Sequence, residues 1–449
     1  MSEVIKIKKG LDIRLAGKAE KVFGKTALPR LFAVKPIDFH GVVPKMVLKE
    51  GAPVKAGTVL FYDKKQPDVK FVSPVSGTLK SINRGERRRI LEVIVESDGK
   101  DEFVDYGSVN LKELNRESVV ERLLESGAWP YIRQRPYDVI ANSADKPKAI
   151  FISGFDSSPL APDLEFLLTG KEEAFKDGIE VLKKLSPEIH IGTNSETASK
   201  IYNNVKGVKT HKFKGPHPAG NVGIQIHHIM PINKGEVIWV VQPQEVLSIG
   251  ALFTQGKHDF SRVIALTGSE VKTRSYLRYR LGASVSEMLK DNLNSDTNLR
   301  VISGNVLTGD HIESDGFVGF YHSQVTVIPE GDEYEFMGWL KPGFDKFSVS
   351  RTFFSWLFPG KEYRLNANMH GGERALVVSG EYDKVLPMDI LPEFLIKAIL
   401  VEDIDKMEQL GIYEVTEEDL ALCEFVCTSK LEIQKILRRG IELMIKELS

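Results

Sequence analysis

Of the ten histidines in the chain, four lie close together. His211 is followed by His217, His227 and His228 within "GPHPAGNVGIQIHHIMPI", Gly215 to Ile232. Imidazole is a common metal ligand and proton carrier, so the first question is whether these rings converge. A zinc site needs three or four convergent ligands, usually spaced H-x-H or H-x-x-x-H on one face, and that spacing is absent. The apolar pattern of the stretch predicts a strand, on which adjacent His227 and His228 point to opposite faces and cannot share one ion. His217, between Pro216 and Pro218, predicts an extended turn. These histidines are expected to be structural or partner-contacting, with no metal.

The two cysteines, Cys423 and Cys427 in "LCEFVC", are spaced i,i+4 on a predicted helix, so both thiols share one side. An iron–sulfur cluster normally takes four such ligands, so a buried remnant is expected, and whether a partner shares these thiols stays open. Asp63-Lys64-Lys65, then Gln66-Pro67-Asp68, stands at a predicted hairpin tip where lipoyl-type domains carry a modified lysine. The longer, proline-broken turn predicts a scaffold hairpin with solvated lysines instead. The arginine runs at Arg84 to Arg89 and Arg274 to Arg280 are read as solvated turn and strand-edge charges. Anionic lipid or partner subunits are the alternative for them. No Ser/His/Asp set or paired-carboxylate motif argues for hydrolytic chemistry.

At 449 residues the chain should split into several domains. A net charge of −2 gives no basic field to attract nucleic acid. The start, "MSEVIKIKKGLDIRLAG", has no apolar core of a signal peptide, and no run reaches the ~18 apolar residues of a membrane span. Membrane association is expected to be peripheral or through partners.

The elements that must position these residues fall into four segments of an α/β multidomain chain. Residues 1–105 hold an N-terminal segment and short Gly-punctuated strands from about Arg30 to Asp98, resembling a biotinyl/lipoyl-type barrel-sandwich hybrid. Residues 106–257 alternate helix and strand: Val119, Leu123 and Leu124 stripe a helix stopped by Gly127, "KAIFISG" and "EIHIGT" are buried strands, and Phe175, Ile179 and Leu182 share a helix face. A Rossmann-like, mostly parallel sheet follows from that order. Residues 258–340 read strand, hairpin, strand, helix, strand, resembling the β-grasp domain that binds soluble ligands. Residues 341–449 are irregular and then helical, with Thr416/Asp419 and Ser429/Glu432 as N-caps. Ile433, Ile436, Leu437, Ile441, Met444 and Leu448 form the apolar face of a final helix in a small bundle.

This domain order, with "KGPHPAGNVGIQIHHIMPI", "VIALTG" and "DLALCEFVC", resembles a family that joins the flavin subunit of respiratory complex I and the Rnf complex C subunit. It is most similar to the NqrA family, the A-type subunit of the sodium-pumping NADH:quinone reductases. Against the flavin-binding relatives, the Gly-rich phosphate loop is replaced by Gly127-Ala128-Trp129-Pro130-Tyr131-Ile132-Arg133-Gln134-Arg135. Bulky rings and proline cannot build a cradle of converging amides. The acidic flavin segment is reduced to Asp156 within Ser153–Pro159, and Ala219, Gly220 and Asn221 stand in a second degenerate loop.

The resemblance implies a cofactor-free subunit, peripheral on the cytoplasmic face of the bacterial inner membrane and not catalytic when isolated. FMN, riboflavin and iron–sulfur centres are then expected in partner subunits. It further implies a contribution to the quinone-reactive region. At the vacated flavin loop, Trp129 and Tyr131 supply candidate walls and Arg133 and Arg135 candidate donors, with Phe39 and His40 of "KPIDFHG" approaching them. A purely structural assembly scaffold is the alternative, and a standalone carbohydrate or cobalamin-type binder a third reading.

Overall fold

The computed structural model describes residues 4–25, 29–197, 199–294, 298–331 and 335–448. The barrel-sandwich unit is two facing sheets. One has four strands (Leu31–Val34, Ile90–Ser97, Gly77–Arg84, Pro53–Val54) and the other three (Pro44–Met46, Val59–Asp63, Lys70–Val72). Leu60, Leu79, Val93 and Val95 fill the space between them, fully buried. Gly77, at φ +151°, is required: a Cβ there would lie 1.9 Å from the Glu96 carbonyl oxygen. Asp63 ties its hairpin by accepting from the N–H groups of Val43 (3.0 Å) and Lys65 (3.1 Å), and Lys64 and Lys65 are exposed. The turn Glu86–Arg88 leaves its arginines in solvent, and Tyr276–Arg280 is a sheet-edge strand with Arg278 exposed.

The α/β unit has a seven-stranded sheet. Four strands run parallel in the order Lys209–Lys214, Ile189–Asn194, Ile150–Ser153, Ile238–Val240. The N-terminal strand Val4–Lys6 extends one edge in parallel, and Arg133–Arg135 and Val139–Ile140 finish the other antiparallel. The helices Glu172–Leu182 and Pro243–Gln255 press together through glycine: Cβ atoms at Gly178 and Gly250 would each lie 2.1 Å from a carbonyl oxygen of the other helix. Phe175, Ile179 and Leu182 are buried as the periodicity predicts. The helix Arg116–Glu125 ends before Gly127, whose φ of +68° accommodates the chain reversal.

The strand expected around His227 and His228 is a helix, Val222–Ile229. Residues Val222 to Ile226 are consecutively buried, so no polar face interrupts the run and the 3.6-residue period does not show.

The β-grasp unit has strand order Tyr276–Arg280, Ser261–Thr267, Gln324–Pro329, Leu299–Ser303, Asp310–Ile312, with the helical turn Ser286–Leu289 between its halves. In the terminal unit, helices Pro392–Leu400, Glu417–Val426 and Ile433–Leu448 bury Ile433, Leu437, Ile441 and Met444 completely. The Leu448 side chain lies outside the described residues. Thr416 caps as expected, its N–H donating to Asp419 Oδ2 (3.0 Å). Ser429 does not: its hydroxyl donates to the Ala375 carbonyl (2.9 Å), and the helix starts four residues later.

Candidate functional site

In the parallel sheet, the chain leaves Ile150–Ser153 toward Ile189–Asn194 on one side, while Ile238–Val240 pairs on the other. Such a switch point opens a crevice at the carboxyl ends of the strands, where open α/β sheets bind ligands. A cavity of about 450 Å³ lies there. Ser153 and Val240 form its floor, and the starts of helices Val222–Ile229 and Pro243–Gln255 border it. The β-grasp stretch Phe320–Gln324, the barrel-sandwich turn Ile37–His40 and residues 416–418 of the terminal unit close it. All four units meet at this cavity.

Of the six residues singled out in the sequence, His40 and Arg133 line the cavity. The Arg133 guanidinium lies over the Tyr321 ring (4.7 Å to its centroid) and pairs with Asp138 (3.0 Å). Phe39 stands behind this wall, its ring edge-on to Phe320 (4.7 Å) and Tyr321 (5.8 Å). Tyr131 stacks on Phe320 (5.5 Å), and its hydroxyl meets His258 Nε2 (2.9 Å) in the interior. Trp129 points elsewhere: it has no exposed surface, packs edge-on against Trp239 (5.5 Å) and donates to the Ala141 carbonyl (2.7 Å). Arg135 also turns away, donating to Asp419 Oδ2 (3.1 Å) and Glu418 Oε1 (2.6 Å). The cavity therefore gathers part of the set, with Phe39 and Tyr131 supporting its aromatic wall from behind.

The sequence reading missed the wall that the β-grasp unit supplies. Tyr321, His322 and Gln324 come from "FYHSQ", where an aromatic, an imidazole and an amide cluster just before a strand, a usable signal. The Gln324 Oε1 and Ser158 Oγ atoms are buried without a hydrogen-bond partner, as is Asp138 Oδ1, and all three residues border the cavity. Asp38 pairs with Lys35 (3.3 Å) and accepts from the Phe320 N–H (2.8 Å). Burial still outweighs these partners and pushes its carboxyl up to about 6. Burial pushes Asp138 the same way, but Arg133 and Arg135 prevail and hold it at about 2.

Helix starts attract anions, and here the chain meets both with its own carboxylates. Glu245 accepts from the Gln242 N–H (2.8 Å), and burial raises its carboxyl to about 7. Asp419 lies against Gly223 in the first turn of its helix, where a Cβ would stand 2.4 Å from the Asp419 Oδ1 atom. Only glycine allows that approach. Burial raises both Asp419 and Glu418, which share the Arg135 guanidinium.

The four histidines do not converge. His190 Nδ1 and His211 Nε2 lie 3.0 Å apart on neighbouring parallel strands, and His217 Nδ1 meets Ser157 Oγ at 3.0 Å. His227 bonds Glu414 (2.8 Å) and accepts from the Asp389 N–H (3.1 Å), whereas His228 bonds the Ile224 carbonyl (2.9 Å). Among the described residues no group of three or more His, Cys, Asp or Glu side chains could hold a metal ion. Cys423 and Cys427 are both buried, with the Tyr382 hydroxyl donating to Cys427 Sγ (2.9 Å).

A barrel-sandwich unit, a switch-point α/β unit, a β-grasp unit and a helical unit closing on one crevice define a class of four-part α/β protein. Family profiles match in the same order: the NqrA N-terminal barrel-sandwich hybrid domain at residues 5–98, the NqrA second alpha/beta domain at 114–258, and the NQRA C-terminal domain at 263–314. The NqrA subunit of the Na(+)-translocating NADH-quinone reductase of Yersinia pestis bv. Antiqua (strain Angola) is 41% identical, over 97% of this chain and 98% of its own. That of Neisseria meningitidis serogroup B is 40% identical, over 99% and 100%. The chain belongs to the NqrA family, the A-type subunit of the Na(+)-translocating NADH-quinone reductases. An NAD+-reducing [NiFe]-hydrogenase structure aligns at 11% identity with a TM-score of 0.37, over 74% of this chain and 61% of that one. That likeness carries no argument.

Proposed function

We propose that the chain is a peripheral subunit of a sodium-translocating NADH:quinone reductase, on the cytoplasmic face of a bacterial inner membrane and without a redox cofactor of its own. Hydride transfer and sodium translocation belong to partner subunits holding FMN, riboflavin and iron–sulfur centres. The chain contributes to the quinone-reactive region and to assembly of the complex. Among the described residues no helix is long and apolar enough to cross a membrane, which fits attachment through partners.

One observation carries the quinone reading: the switch-point cavity has an aromatic wall with a cation on it, while both helix starts already face carboxylates. A phosphate-bearing ligand would find both anion-attracting helix starts already taken by the chain's own carboxyl groups. A neutral ring with two carbonyl acceptors meets Arg133 and His40 as donors. Its reduced form, with two hydroxyl donors, finds acceptor residues in the lining, Asp138 and Gln324, whose Oδ1 and Oε1 atoms accept no hydrogen bond within the chain.

The test is Arg133→Ala assembled into the complex. Quinone KM should rise at least tenfold while NADH oxidation by an artificial acceptor persists. The sealing of Trp129 into the core favours the scaffold reading, and an unchanged quinone KM in that variant would leave the scaffold alone standing.

A further inference from the structure

A quinone-reactive site has to deliver protons as well as bind, because each carbonyl oxygen of the ring becomes a hydroxyl on reduction. Among the described residues, six carboxyl-bearing side chains border the switch-point crevice. Three are tied to guanidinium groups: Asp138 to Arg133 (3.0 Å), Glu418 to Arg135 (2.6 Å) and Glu417 to Arg438. Asp310 is exposed. Asp156 accepts from the Ser158 N–H (2.7 Å), and no cation is among the groups acting on it. Asp38 remains, and its surroundings differ from all of these.

Lys35 and Asp38 flank the 3-10 turn Pro36–Asp38, and the i,i+3 spacing puts both side chains on one face of it. Lys35 Nζ lies 3.3 Å from Asp38 Oδ1, with the two side chains only 6% and 8% exposed. The Phe320 N–H of the β-grasp unit donates to Oδ2 (2.8 Å) and fixes the carboxyl from a second unit. Asp38 borders the crevice on one side and a closed space of about 20 Å³ on the other. Lys35 borders the closed space and not the crevice. The carboxyl therefore stands between the ligand's crevice and a cation held behind it.

Burying an ion pair costs more than burying apolar side chains of the same size, so packing alone does not account for one here. A proton donor does. It must carry its proton in the resting site and be tolerated as an anion once the proton has left. Burial raises the Asp38 carboxyl from 3.8 to about 6, which serves the first need, and Lys35 serves the second. Asp310 and Tyr321 of the β-grasp unit are the other titratable groups facing it. We propose that Asp38 hands a proton to a carbonyl oxygen of the bound quinone while Lys35 balances the carboxylate left behind, an inference that rests on the quinone reading above. Two electrons reach the ring from NADH through the complex, the reaction of the family. As charge grows on the carbonyl oxygen, the carboxyl O–H bond breaks and an O–H bond forms on that oxygen. The second carbonyl oxygen takes its proton from water at the rim, where the His40 side chain is 41% exposed, and water returns the proton to Asp38.

The experiment measures turnover of the assembled complex with ubiquinone-1 as acceptor. Asp38→Asn should lower kcat at least tenfold while KM stays within twofold, and Asp38→Glu should keep at least a third of the unaltered kcat. Lys35→Gln should lower kcat at least threefold, again without moving KM. Because Asp38→Asn leaves Lys35 buried without its partner, the double variant Lys35→Met, Asp38→Asn removes the pair together. Its melting temperature should match that of the unaltered chain, its kcat should stay at least tenfold down, and its solvent deuterium isotope effect on kcat should rise because proton delivery now limits turnover. Unchanged kcat in the double variant, a loss confined to KM, or an unchanged isotope effect would each overturn the inference. If a photoreactive quinone leaves no displaceable label on the unaltered chain, the quinone reading itself fails. Displaceable label together with unchanged kcat in the double variant removes the proton donor alone.

Discussion

Arg135 and Asp419, 284 residues apart, are joined by a buried hydrogen bond of 3.1 Å that ties the penultimate strand of the α/β sheet, Arg133–Arg135, to the terminal helical unit. The same guanidinium holds Glu418 at 2.6 Å, and Asp138 stands at 3.9 Å. Removing the cation strands a group of carboxylates away from water. Arg135→Met is expected to cost about 3–5 kcal/mol in urea unfolding. Asp419→Asn alone should cost less, because Glu418 still pairs. The double variant should cost clearly less than the sum of the singles, and strict additivity would show that the pair is not coupled.

Trp129 sits in a closed interior, and its indole N–H already has a partner. Trp129→Ala should destabilise the chain by roughly 3–5 kcal/mol through lost burial and a residual cavity. In complexes that still assemble, quinone KM should stay within about twofold of the unaltered value, set against the tenfold cost expected for Arg133→Ala, a gap of roughly 1 kcal/mol. A tenfold rise in KM for Trp129→Ala would show that the indole lines the site after all.

The buried histidines predict how the fold responds to acid. Burial holds His217 down at about 4, from an ordinary 6.5. The unfolded chain therefore binds this proton first, and stability is lost as pH falls from 6.5 through 4, by up to roughly 3 kcal/mol. His258, at about 3, acts in the same direction. Asp38 acts oppositely: its raised carboxyl contributes stability at low pH that is lost as pH rises from 3.8 through about 6. His217→Gln should flatten the acid decline of the melting temperature between pH 6.5 and 4. An unaltered slope would show that the ring titrates normally.

Much of this arrangement was legible from local pattern. The helix stripe at Phe175, Ile179 and Leu182, the stop at Gly127 and the Thr416/Asp419 box each rest on interactions within a few residues. The helix at His227 was hidden because burial surrounds its first turns. The fate of Trp129 and Arg135 was hidden for another reason. One is decided by Trp239 and the other by Asp419, and nothing near residues 129–135 announces either partner. The approach of "KPIDFHG" to the vacated loop was an expectation of the family resemblance alone, and His40 and Arg133 border one cavity. The wall Tyr321 to Gln324, on which Arg133 lies, belongs to the β-grasp unit and becomes visible only once that unit is folded against the sheet.

The measurement closest to the central claim is photolabelling of the intact, turning-over complex with a quinone carrying a photoreactive group on its ring. Label should be recovered on this chain, in the peptides containing Ile37–His40 and Tyr321–Gln324, and should be competed away by excess unmodified quinone. Label confined to partner subunits, or label on this chain that unmodified quinone does not displace, would contradict the account.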